Sequence, residues 1–229
     1  MGRRFVIGDI HGAYLALMQC FSKAKFDYKS DTLICLGDVC DGWPEVSQSV
    51  RELLKIKHLV YILGNHDQWT LEWFTTGEAP DIWITQGGDA TIESYRFTIP
   101  GSHIRLLQTA LNYYELENRI FVHGGFDPNI DIRQQERDMF IWDRSLLYSA
   151  IEMHEEGIEK MTDYDEIYIG HTPTLNFGVI DPLKVCELYL MDTGAGYRGG
   201  YLTMMDIDTK ETYVSEQVDL LYPGFYGRG

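Results

Sequence analysis

The sequence predicts an α/β fold of two packed sheets with helices outside, and three features of it do so. Five runs of β-prone apolar residues each end in a polar residue beside glycine: Phe5 to Asp9, Leu33 to Asp38, Leu59 to Asn65, Ile120 to Gly124 with His123, and Ile167 to His171. Segments of helical spacing separate the first three runs, which makes a β-α-β-α-β start and therefore parallel strands. Further β-prone runs close the chain.

Taken in order, the apolar runs read as strands buried on both faces. Ala13 to about Lys25 reads as a helix with Leu15, Met18 and Phe21 inward. Pro44 to about Ile56 reads as a second, with Val46, Val50, Leu53 and Leu54 inward and proline suited to a first turn. Trp69 to Thr76 continues helically after the third run, and Ser102 to Ala110 makes another helix. Tyr113 to Leu116 and Arg119 to Val122, joined by Glu117-Asn118, form a hairpin. Leu146 to about Met161 reads as one long helix whose Glu152, Glu155, Glu156 and Glu159 make a solvated face. Val185 to Leu190, Tyr201 to Ile207 and Thr212 to Glu216 are strands, with Asp208 to Lys210 as a turn. Trp69, Trp73, Phe74 and Trp83 are assigned to the core.

A chain of 229 residues can bury a large core as one domain, residues 1–229. Its net charge of −16 would repel a polyanion, which disfavours duplex nucleic acid as a partner. Cys20, Cys35, Cys40 and Cys186 have no close pairing and read as reduced thiols in or near the core. No stretch approaches the length of a membrane span, so the expectation is a cytoplasmic protein without a membrane partner. Oligomeric state is not legible.

In an open α/β sheet the carboxyl ends of the strands share one crevice, so the polar tips converge there. A lone Asp beside Gly is ordinarily a turn former. Here Asp9, His11, Asp38, Asn65, His123 and His171 recur at matching positions, and oxygen and imidazole donors without thiolate suit Mn, Fe, Zn or similar ions. A strand-end carboxylate such as Asp38 can bridge two ions, which about 3.5 to 4 Å apart would activate a hydroxide and clamp a phosphoryl centre. His58, His103 and His154 stand outside these blocks and read as structural or surface residues.

The blocks Gly8-Asp9-Ile10-His11-Gly12, Gly37-Asp38-Val39-Cys40-Asp41-Gly42, Gly64-Asn65-His66-Asp67, His123-Gly124-Gly125 and Gly170-His171-Thr172 follow one another in this order. Together they resemble the signature of the phosphoprotein phosphatase branch of the calcineurin-like metallophosphoesterases. That branch includes bacterial and phage Ser/Thr phosphatases and symmetric diadenosine tetraphosphate hydrolases. Met191 to Ala195 resembles the family's closing segment. The resemblance implies a four-layer α/β/β/α sandwich and a pair of divalent ions, manganese foremost, with Fe, Zn or Ni as alternatives. It also implies roles: Asp9 and His11 on one ion, Asn65, His123 and His171 on the other, Asp38 between them, and His66, held by Asp41, protonating the leaving oxygen.

One departure from the pattern concerns substrate. The family usually carries an arginine directly after the second Asp of the second block, where it grips a phosphate oxygen, whereas Gly42-Trp43 follows Asp41 here. Arg144 and Arg198 are candidates to replace it, and Trp43 is a candidate cover for an apolar part of the substrate. Asp67 also stands where many members have Glu. The leading reading is a Ser/Thr, or dual-specificity, protein phosphatase with small phosphoesters as surrogate substrates. The alternatives are a dinucleoside polyphosphate hydrolase and a metal- and phosphopeptide-binding module without turnover.

Overall fold

The computed structural model describes residues 2–96 and 98–228. Its strands form two five-stranded sheets. The first has the order β10 (Thr212–Val214), β9 (Thr203–Asp206), β1 (Arg4–Ile7), β2 (Thr32–Cys35), β3 (His58–Tyr61). β1, β2 and β3 run parallel, with Val6 opposite Ile34 and Ile34 opposite Val60, and β9 joins the free edge of β1 antiparallel. The second has the order β4 (Tyr113–Leu116), β5 (Arg119–Val122), β6 (Glu166–Ile169), β8 (Leu188–Leu190), β7 (Leu183–Val185). β5, β6 and β8 are parallel, and antiparallel β4 and β7 close the edges.

Successive side chains of a strand face opposite ways, and each central strand uses both faces. Val6, Ile34, Phe121 and Tyr168 fill the seam between the sheets, where the Phe121 and Tyr168 rings stack with centroids 4.8 Å apart. Phe5, Ile7, Leu33 and Cys35 turn outward beneath α1 (Tyr14–Ala24) and α2 (Val46–Leu53). Ile120, Val122, Ile167 and Ile169 turn outward on the second sheet. They are covered there by α7 (Arg137–Trp142) and α8 (Ser145–Glu155). This is the four-layer arrangement, helix, sheet, sheet, helix.

α3 (Asn65–Thr76) follows β3 directly. A short α4 (Asp81–Trp83) is followed by a kink at Gln86 and Gly87, where Gly87 has φ 96°, and then by α5 (Asp89–Tyr95). α6 (Gly101–Gln108) precedes the β4–β5 hairpin, and α9 (Val218–Leu221) follows β10. Glu117 and Asn118 at the hairpin turn both have positive φ, at 51° and 58°, as a type I′ turn requires.

Several boundaries differ from the sequence reading. In α1 the buried stripe is Leu17, Cys20, Phe21 and Ala24, while Leu15 is 39% exposed, because two residues along a helix lead to the opposite side. Leu54 is likewise exposed, and Pro44 precedes α2 rather than opening it. α8 ends at Glu155, and Gly157 with φ 82° lets the chain turn away before Met161. Val185 to Leu190 is a hairpin rather than one strand, turning at Cys186 and Glu187. The buried Glu187 carboxylate accepts the backbone N–H groups of Met161 and Thr162 and so pins the loop after α8.

Candidate active site

All five strand tips end at one place. The backbone there is unusual: His11, Asp38, Asp41 and His171 all have positive φ, between 48° and 70°, a conformation that side-chain-bearing residues adopt at a cost and that clusters at functional sites. The turn after β2 needs glycine. Gly37 has φ 98°, and a Cβ there would lie 2.5 Å from the Gly64 nitrogen, so the second and third tips pack backbone to backbone.

Asp38 sits in the middle. His11 Nε2 lies 3.8 Å and His123 Nε2 3.4 Å from its Oδ2, and His11 Nε2 is 4.0 Å from Asp9 Oδ2. Its Oδ1 accepts the His66 backbone N–H at 2.9 Å. Oδ2 is buried with no formed hydrogen bond, and so is His171 Nε2. Asp9, His11 and Asp38 make one cluster able to hold a metal ion and Asp38, His123 and His171 another, so Asp38 belongs to both.

The surrounding contacts orient these donors. His11 Nδ1 donates to the Cys40 carbonyl at 2.9 Å and His123 Nδ1 to that of Leu36 at 2.8 Å, which turns both Nε2 atoms inward, the usual support of metal-binding histidines. His123 Nε2 also lies 3.0 Å from Asn65 Oδ1, and the Asp9 carboxylate accepts the His171 N–H. Asp67 accepts the N–H groups of Val39, Cys40 and Gly64, tying the second block to the third, a role for which its short side chain suffices.

Ionisation follows from this crowding. Burial, with the charge of Asp192, drives the Asp9 carboxyl well above its ordinary range. Burial opposes the charge on Asp38 as well, yet the charges of His123 and His66 outweigh it and hold that carboxyl well below the ordinary range. His123, despite its burial, is raised to about 9 by Asp38. Burial and nearby Arg228 depress His11, and burial with the His123 charge lowers His171 to about 2. A proton that Asp38 favours on His123 would sit on Nε2, the atom that faces both Asp38 and Asn65.

His66 lies in the first turn of α3, and its Nδ1 donates to Asp41 Oδ2 at 2.6 Å. Trp83 Nε1 donates to the same oxygen at 2.8 Å, and Thr91 Oγ1 donates to Oδ1 at 2.6 Å. Asp41 is therefore fully partnered, while His66 Nε2 is buried and unpaired. Trp83 and Thr91 carry no local mark of this task in the sequence. Only the packing of α4 and α5 against the second block reveals it.

Above this floor lies a cleft of about 530 Å³, bounded by Trp69, Trp142, Tyr197, Arg144 and Arg228 around Asn65, His66 and His171. Arg144 lines it and forms no ion pair among the described residues. Trp43 does not line it: it is fully buried, donates through Nε1 to the Ala195 carbonyl at 2.6 Å and stacks on Tyr222, so it is core and not a substrate cover. Arg198 is exposed and lies over the Tyr226 ring, away from the cleft. Trp69, assigned to the core by its spacing, meets Trp142 edge to face at 5.1 Å in the cleft wall. Arg228 enters from the far end of the sequence, a residue that no motif singled out.

Residues 2–212 match the family model described as calcineurin-like phosphoesterase. The chain is 26% identical over 212 residues to Serine/threonine-protein phosphatase 1 of Salmonella typhimurium, covering 89% of this chain and 91% of that one. It is 26% identical over 236 residues to the asymmetrical bis(5′-nucleosyl)-tetraphosphatase PrpE of a Geobacillus strain, covering 90% and 91%. A solved structure provisionally described as a diadenosine tetraphosphatase superposes with a TM-score of 0.71 at 19% identity, over 93% of this chain and 92% of that one. The chain belongs to the calcineurin-like phosphoesterases, a family of metal-dependent phosphoester hydrolases.

Proposed function

We propose that the protein hydrolyses phosphomonoesters of serine and threonine in proteins, with two divalent ions, manganese foremost, held by Asp9, His11, Asp38, Asn65, His123 and His171. The observation that carries the metal reading is the buried, unpaired Oδ2 of Asp38, flanked by the inward nitrogens of His11 and His123. A buried carboxylate oxygen needs a cation or a donor, and the imidazole nitrogens that face it, His123 Nε2 at 3.4 Å and His11 Nε2 at 3.8 Å, stand beyond the length of a good hydrogen bond. When bound, the ions would polarise the phosphoryl group and lower the pKa of a water molecule.

The chain's own residues supply the rest. Asp41 fixes His66 through Nδ1, which leaves Nε2 to carry a proton to the leaving oxygen. Arg144, on the cleft wall, attracts the anionic ester. Similarity to a Ser/Thr phosphatase over 89% of this chain supports this substrate class, and equal similarity to an asymmetrical bis(5′-nucleosyl)-tetraphosphatase over 90% supports a second. A second reading, hydrolysis of a dinucleoside polyphosphate, is favoured by the aromatic walls Trp69, Trp142 and Tyr197, against which bases can stack.

A substrate panel on metal-stripped protein reloaded with Mn²⁺ separates the two. Faster release of phosphate from phosphoserine and phosphothreonine peptides than of nucleotide from diadenosine tetraphosphate is the expected result. The reverse order would transfer the assignment to the dinucleotide, and inactivity on every ester, p-nitrophenyl phosphate included, would refute hydrolysis.

A further inference from the structure

Gly42 follows Asp41, where the family signature that this sequence resembles usually has an arginine, and the space beside it is filled from elsewhere. It has φ 88°, and a Cβ built on it would lie 3.3 Å from Arg228 Cγ and 3.2 Å from the His11 carbonyl oxygen. A Cβ on Gly87 would also come within 3.3 Å of Arg228 Cγ, and one on Gly196 within 3.1 Å of Arg228 Cδ. Three glycines from three separate loops thus line the path of one side chain. The Arg228 N–H donates to the Gly196 carbonyl at 2.7 Å, which fixes where the side chain enters.

The head of that side chain reaches the floor of the cleft. The guanidinium lies 5.1 Å from the Tyr197 ring centroid, Nη2 donates to Gln86 Oε1 at 3.0 Å, and Nη1 donates to His11 Nε2 at 3.1 Å. Nε is buried without a partner. Stacking and the Gln86 bond hold the planar fork, while Nε and the Nη1 group keep donors to spare. The Nη1 contact is itself provisional, because it uses the lone pair of His11 that a metal ion would claim.

We infer that Arg228 is the phosphate-gripping arginine of this active site, supplied by the segment after α9 in place of the one missing after Asp41. The inference rests on the phosphoester reading above. Among the described residues lining the cleft, Arg228 and Arg144 are the two with a permanent positive charge, in a chain of net charge −16, so an anionic substrate has few other places to anchor.

The test uses Arg228→Ala and Arg228→Lys in the Mn²⁺-loaded full chain, with metal content, calorimetric binding of inorganic phosphate and steady-state kinetics on p-nitrophenyl phosphate. Arg228→Ala is expected to retain its metal, to bind phosphate about 10- to 100-fold more weakly and to raise KM more than it lowers kcat. Arg228→Lys recovers part of the loss, since it restores charge without the fork. Unchanged phosphate affinity in Arg228→Ala would overturn the assignment. So would a gain in Mn²⁺ affinity and rate, which would make Arg228 a plug on His11. A wild-type protein that binds metal but neither binds phosphate nor hydrolyses any ester would overturn the parent reading as well. Active wild type with an indistinguishable Arg228→Ala variant sinks this inference alone.

Discussion

Asp41 Oδ2 takes two hydrogen bonds, from His66 Nδ1 at 2.6 Å and from Trp83 Nε1 at 2.8 Å, so the orientation of the proposed acid depends on a tryptophan in α4. His66→Asn should retain metal and lose about 10²- to 10⁴-fold in rate on phenyl phosphate, with a smaller loss on p-nitrophenyl phosphate, whose leaving group needs no proton. Trp83→Phe removes one neutral donor and should cost about 1 kcal/mol, or about fivefold, in the same leaving-group-dependent sense. Equal losses on the two esters would take His66 out of the acid role.

Asp38 is the one carboxylate common to both candidate metal clusters, and its buried Oδ2 forms no hydrogen bond. Asp38→Asn keeps the size and one acceptor but turns N–H groups toward positions where cations are expected. Elemental analysis after Mn²⁺ loading should find both ions lost. One ion per chain retained at wild-type affinity would confine Asp38 to a single site.

Metal uptake should release protons. His123 holds its proton up to about pH 9 because Asp38 faces it, and the Asp9 carboxyl is raised by burial, yet both must be deprotonated to act as ligands. Mn²⁺ affinity should therefore strengthen as pH rises from 6 toward about 9, falling off as the pH is lowered. Calorimetric titrations in buffers of different ionisation enthalpy report the protons directly, and heats independent of the buffer would contradict this account.

Away from the site, Asp31 ties the start of β1 to the turn after α1. Its buried carboxylate accepts from Arg3 Nη2 at 2.7 Å, from the Arg3 N–H at 2.9 Å and from the Asp27 N–H at 3.0 Å. Burial works against its ionisation, but these donors win and hold its carboxyl below the ordinary range. A depressed folded value means stability present above the unfolded carboxyl value, near about 4, and lost as pH falls through the lower folded value. Asp31→Asn should cost roughly 1 to 3 kcal/mol at pH 7 in urea unfolding. The gap to wild type should shrink below about pH 4, and a gap constant down to pH 2 would show that ionisation is not its source.

The amino-acid sequence by itself determined the strand cores and the residues at their tips. Apolar runs ending in Gly8-Asp9, Gly37-Asp38 or Gly170-His171 encode both a doubly buried strand and its polar end within a few residues, so period and punctuation suffice. The hairpin at Glu117-Asn118 is local for the same reason. Side-chain destination is not local. Trp43 carries no sign that Tyr222 will cover it, and the helical spacing of Trp69 matches a core residue as well as a cleft wall. Trp83, Thr91 and Arg228 reach the site from 42, 50 and 217 residues away from Asp41, Asp41 and His11 respectively. Such pairings arise only when separate loops pack together, since the glycines that admit Arg228 and the donors that complete Asp41 lie on different segments and become neighbours through the fold alone.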